Sequence, residues 1–158
     1  TIGIVTRDLV DSGVLPPRQL EAIAVTAQMF NVVPVRSDGS ALGPMISWLD
    51  QRAAGHAARL AARLPLGEQF EVFDAVLTAK DLVPRIHWLT GERPDIARHA
   101  AWYLDCKEAV VVGFTGRAVT DVAGASAYRL LDFETVRWST DRAWAAAIDP
   151  GVLPEVAG

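Results

Sequence analysis

Two short segments of this chain carry side chains suited to binding a small, hydroxyl-rich ligand. The residues are Gln28, Met29 and Phe30 in the first segment and Trp48 and Asp50 in the second. The indole ring of Trp48 offers a flat apolar face and one N–H donor, and the amide of Gln28 both donates and accepts. Residues 37–40, between the segments, read Ser-Asp-Gly-Ser, which is typical of a tight hairpin turn. We therefore predict that a hairpin returns Trp48 to the side of Phe30 and that these side chains line one pocket.

Each of these side chains also has a purely structural explanation. Trp48 could pack in the core at a strand end, and Gln28 could bond neighbouring backbone. Asp50 precedes a predicted helix, so its carboxylate is suited either to a ligand hydroxyl or to capping that helix. The residue types alone leave these alternatives open.

The composition predicts one globular domain without nucleic-acid or membrane partners. The chain has 158 residues, of which 51% are hydrophobic and 22% charged, and its net charge is −4. An acidic chain is a poor match for nucleic acid, and no apolar run approaches the roughly 20 residues that span a bilayer. The one cysteine, Cys106, excludes an internal disulfide, and the scattered histidines predict no metal site. We expect a cytoplasmic protein.

The hydrophobic pattern predicts alternating strands and helices, and therefore an α/β fold. Short apolar runs predict strands at residues 1–5, 20–26, 31–35, 42–48 and 108–113. Helix-period spacing and end signals predict a helix that ends before Gly13 and further helices at residues 50–64, 83–89, 94–102 and 140–147. The helix at residues 50–64 carries a basic stripe that is suited either to solvent or to an anionic partner. The stripe consists of Arg52, His56, Arg59 and Arg63.

From about residue 20 onward the chain resembles the FGGY carbohydrate kinases, most closely their xylulokinase-like branch. The resemblance rests on many short motifs in the family's order rather than on any one of them. Those in the first half are Ala27-Gln28-Met29, Asp38-Gly39, Pro44-Met45-Ile46 and Trp48-Leu49-Asp50-Gln51-Arg52, followed by Trp88 and Pro94. Those in the second half are Cys106-Lys107-Glu108, Thr115-Gly116, Thr120-Asp121, Ala125-Ser126, Leu131-Asp132, Trp138 and Leu153-Pro154.

The resemblance implies a partial actin-like, ribonuclease H-like core. Such enzymes transfer the γ-phosphoryl group of ATP, with Mg²⁺, to a hydroxyl of a sugar or polyol, and a homodimer is a possible assembly. By the same resemblance, residues 1–158 are the N-terminal sugar-binding domain. The phosphate loop, the general base and the C-terminal ATP-binding domain are expected outside these residues. The chain alone is therefore expected to be inactive and to hold no cofactor or metal.

The resemblance assigns substrate binding to Gln28, Met29, Phe30, Trp48 and Asp50. Xylulokinases have a histidine where Phe30 stands, so a deoxy sugar, or another ketose or polyol, should fit better than xylulose. Lys80 and Asp81 lie near a pocket-lining stretch of the family, but the pattern departs from the family's at Leu82, Arg85 and Gly91, and none of these residues is assigned to the site. Asp121 and Asp132 are expected to cap helices and turns. A non-catalytic sugar-binding or regulatory relative, and an interaction module that uses the basic stripe, are the alternatives.

Overall fold

The computed structural model describes residues 2–63 and 77–157, in which helices and short strands follow one another along the chain. The helices are α1 (Ile2–Asp11), α2 (Ala54–Ala61), α3 (Leu82–Glu92), α4 (Pro94–Ala97), α5 (Cys106–Thr115), α6 (Val122–Ser126) and α7 (Thr140–Ala145). The strands are β1 (Val33–Val35), β2 (Trp102–Leu104), β3 (Val119–Thr120), β4 (Leu131–Asp132), β5 (Arg137–Trp138) and β6 (Glu155–Val156). Short 3₁₀ turns lie at Pro17–Gln19 and Pro150–Val152.

These strands form three two-stranded pairs. β1 pairs with β2 and β4 with β5, both antiparallel, whereas β3 and β6 are parallel. In the β1–β2 pair, Pro34 lies opposite Tyr103. The pairing therefore joins the predicted hairpin region to the chain just before α5.

The turn and the antiparallel course of the predicted hairpin around residues 37–40 are confirmed, but the strand predicted at residues 42–48 does not form, and that arm makes only isolated bridges. Antiparallel bridges connect its two arms at two positions, and the one farther from the turn joins Val32 to Ile46. At the turn, Gly39 has a φ of 83°, a left-handed conformation that glycine adopts without steric penalty. Because the arms are antiparallel, the chain after Ile46 returns beside the residues that precede Val32.

The main core lies where α2 and α3 pack against the C-terminal part of the chain. Its fully buried side chains include Ile86 of α3 and Tyr128, which follows α6. The Tyr128 hydroxyl donates a hydrogen bond to the Tyr103 carbonyl at 2.9 Å, so its polar end is satisfied inside the core. A smaller apolar cluster, with Leu104 and Val112, fixes α5 against β1 and β2.

Two strands predicted near the N-terminus are wrong. The apolar run at residues 1–5 belongs, from Ile2 onward, to α1, in which Ile4 is 64% exposed. No strand is formed at residues 20–26, where Ile23 is 51% exposed. A short apolar run does not distinguish helix from strand, and a strand needs a partner that the described residues do not supply. The helix end before Gly13 is confirmed, since this glycine has a φ of 75° just past α1.

The strand predicted at residues 108–113 is also wrong, because these residues lie within α5. At its N-terminus the Asp105 carboxylate accepts a hydrogen bond from the Cys106 N–H at 2.7 Å. Glu108 places a negative charge in the first turn, and Gly116 ends the helix in the left-handed conformation. These end signals outweigh the strand propensity of the valines, which tertiary context readily overrides.

The remaining helix predictions hold with changed bounds. The helix predicted at residues 83–89 is α3, and the one predicted at residues 140–147 is α7, capped by the Ser139 hydroxyl. The helices predicted at residues 94–102 and 50–64 are shortened to α4 and α2. The last residue of the predicted 50–64 helix lies outside the described residues.

Candidate functional site

One concavity of about 530 Å³ collects side chains from both predicted segments. Its wall consists of Gln28, Met29, Phe30, Trp48 and Lys80. Trp48 is 42% exposed, so its indole faces this opening and is not a core side chain. The structure thus unites four of the five predicted site residues and adds Lys80, which the sequence left outside the site.

The buried side chain of Asn31 ties the two segments together. Its Oδ1 accepts hydrogen bonds from the Trp48 N–H at 3.3 Å and from the Gln28 amide nitrogen at 3.4 Å. Its Nδ2 donates to the carbonyl oxygens of Gln28 at 2.8 Å and of Met29 at 3.1 Å. Because Asn31 is 0% exposed, loss of these bonds would leave buried polar groups unsatisfied. Asn31 therefore sets the spacing between the two walls of the concavity.

Asp105 fixes the same segment from the other side. Its carboxylate accepts hydrogen bonds from the backbone N–H groups of Phe30 at 2.6 Å and Asn31 at 3.0 Å. It also accepts from Cys106 at the start of α5. Hydrogen bonds to a carboxylate are stronger than those between neutral groups. One side chain thus caps a helix and clamps the Phe30–Asn31 segment to it.

Arg85 is a positioning residue that the sequence analysis did not assign to the site. It is fully buried in α3, its Nη1 donates to the Phe30 carbonyl, and its Nε donates to the Ala79 carbonyl at 2.8 Å. Phe30 has a φ of 64°, which is unusual for a bulky residue, and hydrogen bonds on both its N–H and its C=O hold it there. Burial lowers the pKa of Arg85, and the charges of three surrounding aspartates oppose that shift. The signals in the sequence are a lone arginine within an apolar helix and its position close to the pocket-lining stretch of the family.

Asp50 is the one predicted site residue that does not line the concavity. Its carboxylate forms an ion pair with Arg52 at 2.7 Å and accepts the Arg52 N–H at 2.9 Å. These contacts with Arg52 lower the pKa of Asp50. Asp50 does not cap α2 either, because the residue at that position is Ala53 and no side chain caps the helix. The carboxylate instead orients Arg52, whose guanidinium carbon lies 4.9 Å from the centre of the Trp88 ring.

The predicted basic stripe is not a continuous surface. His56 is buried, and its Nδ1 lies 2.7 Å from Nδ1 of His87 on α3. Arg52 is paired with Asp50 but stays exposed, as do Arg59 and Arg63. Three of the four side chains of the stripe therefore lie at the surface, and an interaction module that uses these arginines stays an untested alternative.

Neither a membrane span nor a metal centre is found in residues 2–63 and 77–157. No helix there is long and apolar enough to cross a bilayer. No group of three or more His, Cys, Asp or Glu side chains is placed to hold a metal ion.

Residues 3–158 match the N-terminal domain of the FGGY family of carbohydrate kinases. The chain belongs to this family. The chain is 25% identical over 141 residues to the gluconokinase of Bacillus subtilis (strain 168). It is 26% identical over 140 residues to the xylulose kinase of Lactococcus lactis subsp. lactis (strain IL1403). These matches cover 89% and 88% of this chain but 28% of each relative, so the chain spans less than a third of their length.

The fold of this FGGY domain is shared with solved kinase structures. The glycerol kinase of Plasmodium falciparum, solved with ADP, superposes with a TM-score of 0.76 at 23% identity, over 94% of this chain and 32% of that one. The xylulose kinase of Rhodospirillum rubrum gives a TM-score of 0.73 at 23% identity, over 85% of this chain and 28% of that one. The prediction of a partial α/β domain with an actin-like, ribonuclease H-like core is confirmed.

Proposed function

We propose that this chain forms the sugar-binding part of an ATP-dependent kinase that phosphorylates a hydroxyl of a sugar or polyol. The observation that carries the proposal is the single concavity shared by Gln28, Phe30 and Trp48. Membership of a carbohydrate kinase family supports the activity. The relatives are named for xylulose, gluconate and glycerol, which all carry several hydroxyl groups.

Each wall of the concavity has a distinct role in this proposal. The Trp48 indole packs against the C–H face of the ligand, and its N–H is available to a hydroxyl. The Gln28 amide donates to and accepts from hydroxyls, and the Lys80 ammonium is a further donor. Phe30 offers no polar partner, and a hydroxyl buried against it costs about 1–3 kcal/mol. The substrate in this proposal therefore has a face without hydroxyls, as in a deoxy sugar or another five- or six-carbon ketose or polyol.

The family implies ATP and Mg²⁺, but the residues of this chain do not fit them. The sequence contains no Asp-x-Gly-Thr phosphate loop. The part of the chain that the structure describes places no set of metal ligands together. In this proposal the nucleotide, the metal and the general base are held outside residues 1–158, and these residues orient the acceptor hydroxyl and exclude water from it. The 158-residue chain alone is expected to bind a sugar or polyol without phosphorylating it.

Isothermal titration calorimetry with D-xylulose, D-gluconate and glycerol tests the binding part of the proposal. At least one of these compounds should bind the purified protein, and Trp48→Ala should weaken that binding about tenfold or more. Trp144→Ala is the matched control, because Trp144 is 60% exposed and lies outside the wall of the concavity. Equal losses in both variants, or no binding of any compound, would overturn the assignment. Sugar-dependent formation of ADP by the full-length protein that contains residues 1–158 then separates a kinase from a non-catalytic sugar-binding relative.

A further inference from the structure

A second cavity, of about 270 Å³, adjoins the first and shares Gln28 and Met29 with it. Its far wall is polar. The ionisable residues there are Asp105, Lys107, Glu108 and Asp121. Three carboxylates thus face one ammonium group, and we call this space the acidic cavity.

Glu108 is the unusual member of this wall, because it is only 1% exposed and half of its carboxylate has no partner. Its Oε1 accepts a hydrogen bond from the Thr120 hydroxyl at 2.6 Å and lies 3.7 Å from the Lys107 ammonium. Its Oε2 is buried without a hydrogen-bond partner. Native proteins rarely leave a buried acceptor unsatisfied, so such an atom at a cavity wall indicates a missing donor.

The surrounding packing holds Glu108 in this position. A Cβ atom at Gly124 would lie 2.3 Å from the Thr120 hydroxyl oxygen and 2.7 Å from Glu108 Oε1. Only a residue without a side chain therefore leaves room for the Thr120–Glu108 pair. The Thr120 hydroxyl and the Gly124 backbone thus fix Oε1 and, with it, the orientation of the whole Glu108 carboxylate.

Lys107 and Asp121, on the same wall, stabilise each other's charged forms. Lys107 and Asp121 form an ion pair at 2.5 Å. Burial by itself lowers the pKa of Lys107. The hydrogen bond to Asp121 and the charge of Glu108 outweigh burial and raise this pKa above its ordinary value. The hydrogen bonds from Lys107 and from the Gly124 N–H lower the pKa of Asp121. Lys107 and Asp121 therefore neutralise each other, and two further carboxylates line the same cavity.

We propose that the acidic cavity is a subsite for the hydroxyl-bearing end of a neutral sugar or polyol, with Glu108 Oε2 accepting a hydrogen bond from a ligand hydroxyl. This inference rests on the proposed function and narrows its substrate class. A ligand that extends past Gln28 and Met29 places its next hydroxyl beside Glu108. A carboxylate at that end meets like charge, so a ketose or polyol binds in preference to a sugar acid.

The test compares D-xylulose with D-gluconate by isothermal titration calorimetry. The wild-type protein should bind D-xylulose at least about tenfold more tightly than D-gluconate. Glu108→Gln keeps the shape of the side chain but puts an amide where the acceptor oxygen stands, and it should weaken D-xylulose binding about tenfold. Glu134→Gln, at an exposed glutamate outside both cavities, is the matched control and should leave the affinity unchanged.

A second variant covers the case in which Glu108→Gln does not fold. Lys107→Met removes the one ammonium from the wall of the acidic cavity, so the preference for D-xylulose over D-gluconate should increase at least threefold. Unchanged D-xylulose affinity in a folded Glu108→Gln protein, or an unchanged preference in Lys107→Met, overturns the subsite. If Trp48→Ala still weakens binding about tenfold or more in that case, the proposed function stands without the subsite. If D-xylulose, D-gluconate and glycerol all fail to bind the wild-type protein, both proposals fail, whereas binding of glycerol alone overturns only the subsite.

Discussion

The side-chain oxygen of Asn31 accepts a hydrogen bond from the backbone N–H of Trp48 at 3.3 Å. This bond spans the hairpin and connects the loop that carries Phe30 to the loop that carries Trp48. The Asn31 side chain also bonds the backbone of the Gln28–Met29 segment. A buried amide thus determines how far apart the apolar walls of the concavity stand, without lining it itself.

Replacing Asn31 by alanine should destabilise the protein by about 2–3 kcal/mol, since it leaves several buried N–H and C=O groups unsatisfied. Urea denaturation followed by circular dichroism measures this loss. Gln51→Ala is the control, because the Gln51 side chain is exposed and makes one hydrogen bond, to the Leu49 carbonyl at 3.3 Å. That variant should change the free energy of unfolding by less than about 0.5 kcal/mol. Similar losses in the two variants would show that Asn31 does not hold the loops together.

Asp105→Asn should cost about 2–4 kcal/mol of stability, because an amide cannot accept on both sides as the carboxylate does. The carboxylate bonds the N–H groups of Phe30 and Asn31, so the variant should also weaken ligand binding. Asp149→Asn is matched to it, since Asp149 caps a 3₁₀ turn through one exposed bond to Gly151 at 2.9 Å. Chemical denaturation of both variants should show a loss of no more than about 1 kcal/mol for Asp149→Asn. An equally small loss for Asp105→Asn would contradict its role as a clamp.

Local chemistry explains which parts of this fold could be predicted. The turn at Gly39, the helix end at Gly13 and the start of α3 near Pro84 each depend on a residue with a restricted or permissive backbone. Once the turn is known, antiparallel pairing brings the Trp48 end back beside Phe30. The grouping of the site residues therefore follows from nearby sequence.

Contacts between distant segments explain what the sequence could not predict. Asp105 lies 74 residues from Asn31, and Arg85 lies 55 residues from Phe30. No local pattern indicates that either charged side chain is buried behind the loop. The same limit applies to residues 20–26, whose apolar character predicts a strand although no paired partner is described.

The histidine pair between α2 and α3 should make stability depend on pH. Nδ1 of His56 and Nδ1 of His87 lie 2.7 Å apart, so one ring must donate and the other accept. Burial lowers the pKa of His56 below 6.5, and the positive charge of Arg59 lowers it further. Glu92, whose carboxylate lies 3.7 Å from the ring, opposes this shift. Burial, and then the charges of His56 and of two nearby arginines, lower the pKa of His87 in the same way.

Because the folded pKa values lie below 6.5, the unfolded chain takes up protons first as the pH falls. The free energy of unfolding should therefore be constant above pH 6.5 and decrease as the pH is lowered below it. Urea unfolding at several pH values between 7.5 and 5.5 measures the slope. His87→Gln should flatten it, whereas His99→Gln, at an exposed residue, should not. A slope that is the same in all three proteins would exclude the pair as its source.

Phe30→His should shift the preference of the site toward D-xylulose. The new ring keeps a flat side chain at the concavity wall and adds a nitrogen that can bond a ligand hydroxyl. Histidine also tolerates the left-handed φ of 64° at this position better than most bulky residues, so Asp105 and Arg85 can hold the backbone as before. A hydrogen bond gained against an otherwise unpaired hydroxyl is worth about 1–2 kcal/mol, which corresponds to roughly a tenfold gain in affinity.

Phe30→Leu, which stays apolar, should produce no such gain. Calorimetry with D-xylulose on the three proteins decides the matter: if histidine and leucine have the same effect, the polarity of this wall does not determine which sugar is bound.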